Sequence, residues 1–183
     1  MKLLDRQRAY AAHPDPATAA ANLIALVVAW NGPLYPIYAI LLIGRAGLPS
    51  LGTMAASPFF FAIPWLARRS AIAGRAALPL IGTLDAIWCA KLFGTAAGME
   101  LFLLPCIVLA ALLFRPRERR LGLLIIALAI APVLVPAASY GIPIFPLSPG
   151  QASHLTSLNL VSVVMLLGLV ALQMRSVLAR GER

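Results

Sequence analysis

Six apolar stretches, separated only by short polar breaks, take up most of the 183-residue chain, at about 22–43, 49–67, 76–93, 99–114, 121–138 and 152–174. About 20 such residues are what an α-helix needs to cross the hydrocarbon core of a bilayer. The chain is 61% hydrophobic and 11% charged, against roughly 45–50% and 25% in soluble domains. A water-soluble fold of this size could not hide that much apolar surface. Six crossings consume roughly 120 residues, which leaves no room for a separate soluble domain. The expectation is an all-α fold with six transmembrane helices and short loops in a single membrane domain, 1–183. It has a cytoplasmic tail at 1–21 and a cytoplasmic exit at 175–183.

The cations set the orientation. Thirteen of the fifteen Lys and Arg residues fall in four clusters at 2–8, 68–75, 115–120 and 175–183, while only Arg45 and Lys91 lie on the other side. Between short loops this bias places the cationic side in the cytoplasm. The reading is N-in/C-in, multi-pass, in a bacterial inner membrane. The net charge of +9 then follows from topology, and no nucleic-acid partner is expected; the partner is the lipid bilayer. The first 22 residues are too polar, and too long before the apolar run, for a cleaved signal peptide.

Asn31-Gly32-Pro33 and Pro36 interrupt the first stretch and predict a kink, because proline removes a backbone donor. Pro143, Pro146 and Pro149 make 140–150 a stiff external loop, and 94–98 a tight turn. Cys89 and Cys106 read as packing residues in helices, with no metal-type spacing around them. A haem site would show paired histidines, and the chain has only His13, in the tail, and His154. No cofactor is expected. Neither a catalytic motif nor an internal repeat is apparent, so the chain reads as a non-enzyme.

Ionisable groups within spans are costly and are functional candidates by default. Asp85 sits near the middle of the third stretch, with Trp88 and Leu92 at helical spacing on the same face. Lys91 and Glu100 flank the 94–98 turn, where an interfacial ion pair between them is the structural alternative. His154 and Asn159 enter from the outer end of the last stretch. Asn31, Tyr35 and Tyr38 come from the first, where the tyrosines also suit an aromatic belt. Apart from Asn31, nearer the middle of its helix, all of them fall in the outer half of the bundle, and the inner half reads as nearly pure hydrocarbon. This layering suggests a ligand pocket opening outward, with amphipathic aromatics around a few polar groups.

Two stretches carry a resemblance: WNGPLYPIY at 30–38, and KLFGTAAGMELFLLPC at 91–106 continuing to LLFRPRERR at 112–120. They resemble the six-helix membrane regions of bacterial class III adenylate cyclases and related quorum-sensing receptor histidine kinases. The resemblance implies a homodimeric sensor for a small or lipophilic ligand, whose sixth helix runs into a cytoplasmic signalling helix. The polar, proline-free 175–183 suits the start of such a helix. No output domain follows Arg183, so the chain reads either as the membrane part of a longer receptor or as a free-standing relative. The expected function is a receptor or sensor domain that signals to a cytoplasmic effector such as a nucleotide cyclase. The alternative is the substrate-binding component of a vitamin-type importer, against which stands the lack of a recognisable small-residue docking motif in the first helix. A lipid-modifying enzyme would need Asp85 and His154 within hydrogen-bond reach.

Overall fold

A computed structural model describes residues 2–135 and 140–181, and every regular element among them is helical. A short helix, α1 (Lys2–Ala11), precedes α2 (Pro16–Ile43). The carboxylate of Asp15 caps α2 by accepting from the Thr18 amide, at 3.2 Å, and from its hydroxyl. Pro16 occupies the first turn, where its missing N–H is no loss. The helix therefore starts six residues earlier than its apolar stretch, and it continues through Pro33 and Pro36.

A 3-10 helix follows over Gly44–Ala56, thirteen residues long, where such runs seldom exceed 3–4 residues. It folds back on α2 so closely that a Cβ on Gly47 would lie 2.7 Å from the Ala39 carbonyl carbon. The chain continues as α3 (Ser57–Arg69), antiparallel to α2, with the Trp30 and Phe61 rings edge-to-face at 5.4 Å. The expected second helix is thus 3-10 in its first half and α in its second. Next comes α4 (Ala71–Phe93), capped by Ser70, whose hydroxyl accepts from the Ala73 amide at 3.3 Å. This cap moves the helix start from the expected 76 to 71 and places Arg75 inside the helix rather than in a loop. Two 3-10 turns (Thr95–Ala97 and Met99–Phe102) lead into α5 (Leu103–Leu112), and a short turn into α6 (Arg119–Leu134). The end of the expected fifth helix, 136–138, lies outside the described residues, as do 182 and 183. Finally α7 (Pro149–Gly181) runs for 33 residues, absorbing most of the expected exit segment.

Three helical stretches are long and apolar enough to cross a membrane: Pro16–Arg69, Ala71–Phe93 and Pro149–Ala179. Met99–Leu112 and Pro116–Leu134, bent by 118° at their junction, make a fourth if counted as one span. By length and composition, then, the chain is a membrane protein whose described residues hold three helices able to cross a bilayer, or four with the bent pair, rather than the six expected. The first stretch doubles back at the 3-10 segment, and α3 alone, at 13 residues, reaches about 20 Å against a hydrocarbon core of about 30 Å.

Side chains pack in two layers. At the end carrying Asp15 and Arg75 (the charged end), Ala21, Ala25 and Ala29 of α2 are fully buried among Ile63, Leu109 and Val170. They form a small-residue stripe that the sequence reading had missed. Small side chains let helix backbones approach, which is what holds helices together once water is not the solvent. At the opposite end (the loop end), Tyr35, Ala39, Phe93, Met99 and Leu155 form the second layer. The inner layer is not pure hydrocarbon as expected: Asn22 and Arg75 are 1% and 2% exposed there. Arg75 is hydrogen-bonded to several partners described below, and Asn22 donates to the Ala11 carbonyl at 3.1 Å while its Oδ1 has no protein partner.

Candidate functional site

Four elements converge on a buried polar cluster in the loop-end layer. From α7, Asn159 is fully buried, and its amide donates to the Ala97 carbonyl at 2.8 Å and to Met99 Sδ at 3.4 Å. Its Oδ1 has no protein partner. From α2, the buried Tyr35 hydroxyl lies 3.9 Å from the same sulfur. From α4, Cys89 is buried and its thiol points to Asp85 Oδ1 at 3.7 Å, one turn back. The helical spacing of 85 and 89 makes that contact local. Soft sulfur and uncharged polar groups dominate here, with Asp85 the one carboxylate.

Beside this cluster is a cavity of about 220 Å³, lined by Phe93, Thr95, Tyr140, Pro143, Leu147 and Ala152 among others. Tyr140, Phe93 and Leu147 also pack against the Tyr35 layer, so cavity and cluster share a wall. The proline-rich loop forms its roof and is strapped to the end of α4. Lys91 Nζ donates to the carbonyls of Tyr140 and Ile142, both at 3.0 Å. The amides of Ile144 and Phe145 donate back to the carbonyls of Lys91 (3.1 Å) and Leu92 (2.9 Å). These are among the last carbonyls of α4, which have no donor within the helix. Tyr140 adds a bond to the Pro132 carbonyl at 2.9 Å, tying the loop to α6. The start of α7 closes the floor: Ala152 lines the cavity, and Thr156 Oγ1 donates to the Ala96 carbonyl at 2.8 Å.

Of the nine candidate residues, the fold gathers Tyr35, Asp85 and Asn159 at the cluster, and Lys91 holds the roof. Glu100 is half-buried in the 3-10 turn beneath. Lys91 takes loop carbonyls, and no ion pair joins it to Glu100 among the described residues. Trp88 faces outward, 43% exposed, and donates to the Gly52 carbonyl at 3.1 Å, so it staples α4 to the 3-10 segment. Asn31, Tyr38 and His154 are exposed on the bundle's outer surface. Asp85 and His154 share no hydrogen bond. Sequence reasoning missed Met99, which reads as one more apolar residue, and Cys89, assigned to packing although Asp85 precedes it by one turn.

A second ionic constellation sits at the charged end. The guanidinium of Arg75 donates to the Leu113 carbonyl and to Glu118 Oε1, both at 2.7 Å, and lies 3.8 Å from Asp15 Oδ2. Arg115 approaches Asp15 Oδ1 at 2.6 Å. Burial pushes both carboxyls upward. The Thr18, Arg115 and Arg75 contacts outweigh it at Asp15, and the Arg115 amide with Arg75 does so at Glu118, so both are held below their ordinary values. Each guanidinium nitrogen of Arg75 has a protein partner, Nε reaching the Ala71 carbonyl at 3.4 Å, which is the arrangement of a structural tie rather than of a binding site. Among the described residues, no group of three or more His, Cys, Asp or Glu side chains could hold a metal ion.

Comparison with protein-family models, curated proteins and solved structures returns no match for this chain.

Proposed function

We propose that the chain is a membrane receptor module of a bacterial inner membrane, crossing six times with both termini in the cytoplasm. It binds a small, largely apolar ligand at the loop end and signals along α7 to a cytoplasmic effector. The observation that carries this reading is the continuity of α7. Its first turns floor the cavity and bury Asn159, and the helix then runs unbroken to Gly181. Thirty-three residues span about 50 Å, some 20 Å more than the hydrocarbon core. A displacement at the cavity therefore has a rigid path out of the membrane. A ligand moves such a helix only by binding two packings unequally, and the buried Asn159 Oδ1, without a protein partner, is the acceptor on α7 through which that preference would act.

The six-crossing topology is supported by the thirteen-to-two charge asymmetry and by the order of the elements. The starts of α2 and α4 and the α5–α6 turn meet at the Arg75 network, whereas the end of α4, the Lys91 strap and the start of α7 meet at the loop end. The importer reading loses ground because the Ala21, Ala25 and Ala29 stripe is buried within the bundle and unavailable to a scaffold.

The test fuses residue 183 to an adenylate cyclase catalytic domain and measures cyclic AMP in cells. Ala152→Phe, which fills the cavity, is expected to shift basal output at least threefold. Leu160→Phe, on the lipid-facing side of the same helix at 51% exposure, leaves it unchanged. Equal output from both variants at equal membrane levels overturns the reading.

A further inference from the structure

We infer that the charged end carries a specific site for an anionic glycerophospholipid, in the cleft between α1, the start of α2 and the end of α7. The cleft is an open surface groove of about 180 Å³ and shares no lining residue with the loop-end cavity. Its rim is polar: Arg8 from α1, with Gln173 and Ser176 from α7. Its floor is apolar: Ala19, Ala20 and Leu23 from α2.

Specific contacts fix the α1 wall of the cleft. Tyr10 donates to the Phe61 carbonyl at 3.0 Å, Arg68 donates to the Tyr10 carbonyl at 3.3 Å, and Asn22 donates to the Ala11 carbonyl at 3.1 Å. These bonds pin the end of α1 to α2 and α3. Arg8 makes no ion pair among the described residues, whereas Arg75 and Arg115 are both engaged. Its guanidinium and the Gln173 amide present N–H donors at one rim. The Ser176 hydroxyl already donates to the Gln173 carbonyl at 2.6 Å. Paired N–H donors on a guanidinium match phosphate oxygens.

The floor decides between a lipid and a free phosphate. From Leu23 the apolar surface continues along α2 through Val27, Trp30 and Leu34, 44%, 47% and 45% exposed. That outward-facing row is a track for an acyl chain and is of no use to inorganic phosphate. A basic group at the headgroup level favours anionic lipid by about 1 kcal/mol, or about fivefold. The lipid would bridge α1 to the last turns of α7, so headgroup occupancy would act on the segment that leaves the membrane.

Native mass spectrometry of the full chain in detergent, titrated with phosphatidylglycerol, phosphatidylcholine or glycerol phosphate, tests the site. The wild type is expected to retain one phosphatidylglycerol about fivefold more tightly than phosphatidylcholine. Arg8→Gln should bring the two within about twofold. Ala19→Trp, which fills the floor without touching the charge, should release both. Equal affinity for the two lipids in the wild type overturns the proposal, and that measurement needs no variant. An undiminished preference in Arg8→Gln, or glycerol phosphate competing as well as the lipid, overturns it too.

Discussion

Arg75 and Glu118 lie 43 residues apart in sequence and meet at 2.7 Å, joining the start of α4 to the turn between α5 and α6. Asp15 stands against the same guanidinium and also against Arg115, so one carboxylate serves two arginines in very different surroundings. The Arg75 side chain is 3% exposed and that of Arg115 is 62% exposed. Arg75→Ala leaves the Leu113 carbonyl without its donor and takes the buried cation from Asp15 and Glu118, and is expected to destabilise the protein by about 3 kcal/mol. Arg115→Ala removes a solvated pair and should change stability by less than about 1 kcal/mol. Thermal unfolding in detergent separates the two; equal effects would mean that burial does not govern this network.

The same network predicts a response to acid. Asp15 and Glu118 are held below their ordinary values of 3.8 and 4.5, so the unfolded chain binds protons at a higher pH than the native one. Their stabilisation is therefore complete above about pH 4.5 and is lost as pH falls through the lowered native values. Wild type is expected to exceed Glu118→Gln in stability by a constant margin from pH 7 to 5. That margin should shrink below pH 4.5. A margin that grows on acidification would reverse the assigned shift.

The division between what the sequence disclosed and what it withheld follows range. Apolar stretches are local, and they located one end of each of α2, α4 and α7 to within about three residues while missing the other by five to seven. The helix starts were misplaced because hydropathy was read where capping decides: Asp15-Pro16 and Ser70 begin α2 and α4 ahead of the first apolar run. Arg75 was counted correctly as a cation but could not be seen as buried, since its partners lie 38, 43 and 60 positions away. The 3-10 form of Gly44–Ala56, with Gly47 packed against Ala39 and Ile40 of α2, is likewise encoded in no periodicity. At the candidate site, Tyr35, Asp85 and Asn159 stood out as polar residues in apolar runs. Met99 did not, because a thioether reads as hydrophobic until a hydroxyl and an amide are seen pointing at it.

Gly32 governs how closely α2 and α3 approach. A Cβ there would lie 1.9 Å from Ser57 Oγ and 3.3 Å from Ser57 Cβ. Rotation of the hydroxyl relieves only the first clash, and tightly packed helices absorb added volume at about 1–3 kcal/mol. Gly32→Ala is expected to fall in that range, and Gly32→Ala with Ser57→Gly to recover most of the loss. The double-mutant cycle should show coupling of at least about 0.5 kcal/mol, as for residues in direct contact. Additive effects would show that the two helices do not meet at these positions.

Among the described residues, Lys91 is the one charged side chain that fastens the proline-rich loop, and its two bonds reach carbonyls rather than a carboxylate. Lys91→Met keeps the length and apolar stem but removes both donors. Charged hydrogen bonds contribute about 1.5–3 kcal/mol each when buried, and less at this half-exposed position, so the local loss should be about 1.4 kcal/mol, a tenfold change in opening. Hydrogen exchange at the Ile144 and Phe145 amides, which donate to the Lys91 and Leu92 carbonyls, should accelerate by about that factor. Exchange within α4 ahead of residue 88 and within α7 beyond residue 159 should hold steady, because local opening does not require the bundle to unfold. If the loop amides keep their protection, then the backbone pairing and the Tyr140 bond to Pro132 hold the roof without the ammonium. If α7 loses protection as well, the loop and the helix open as one unit.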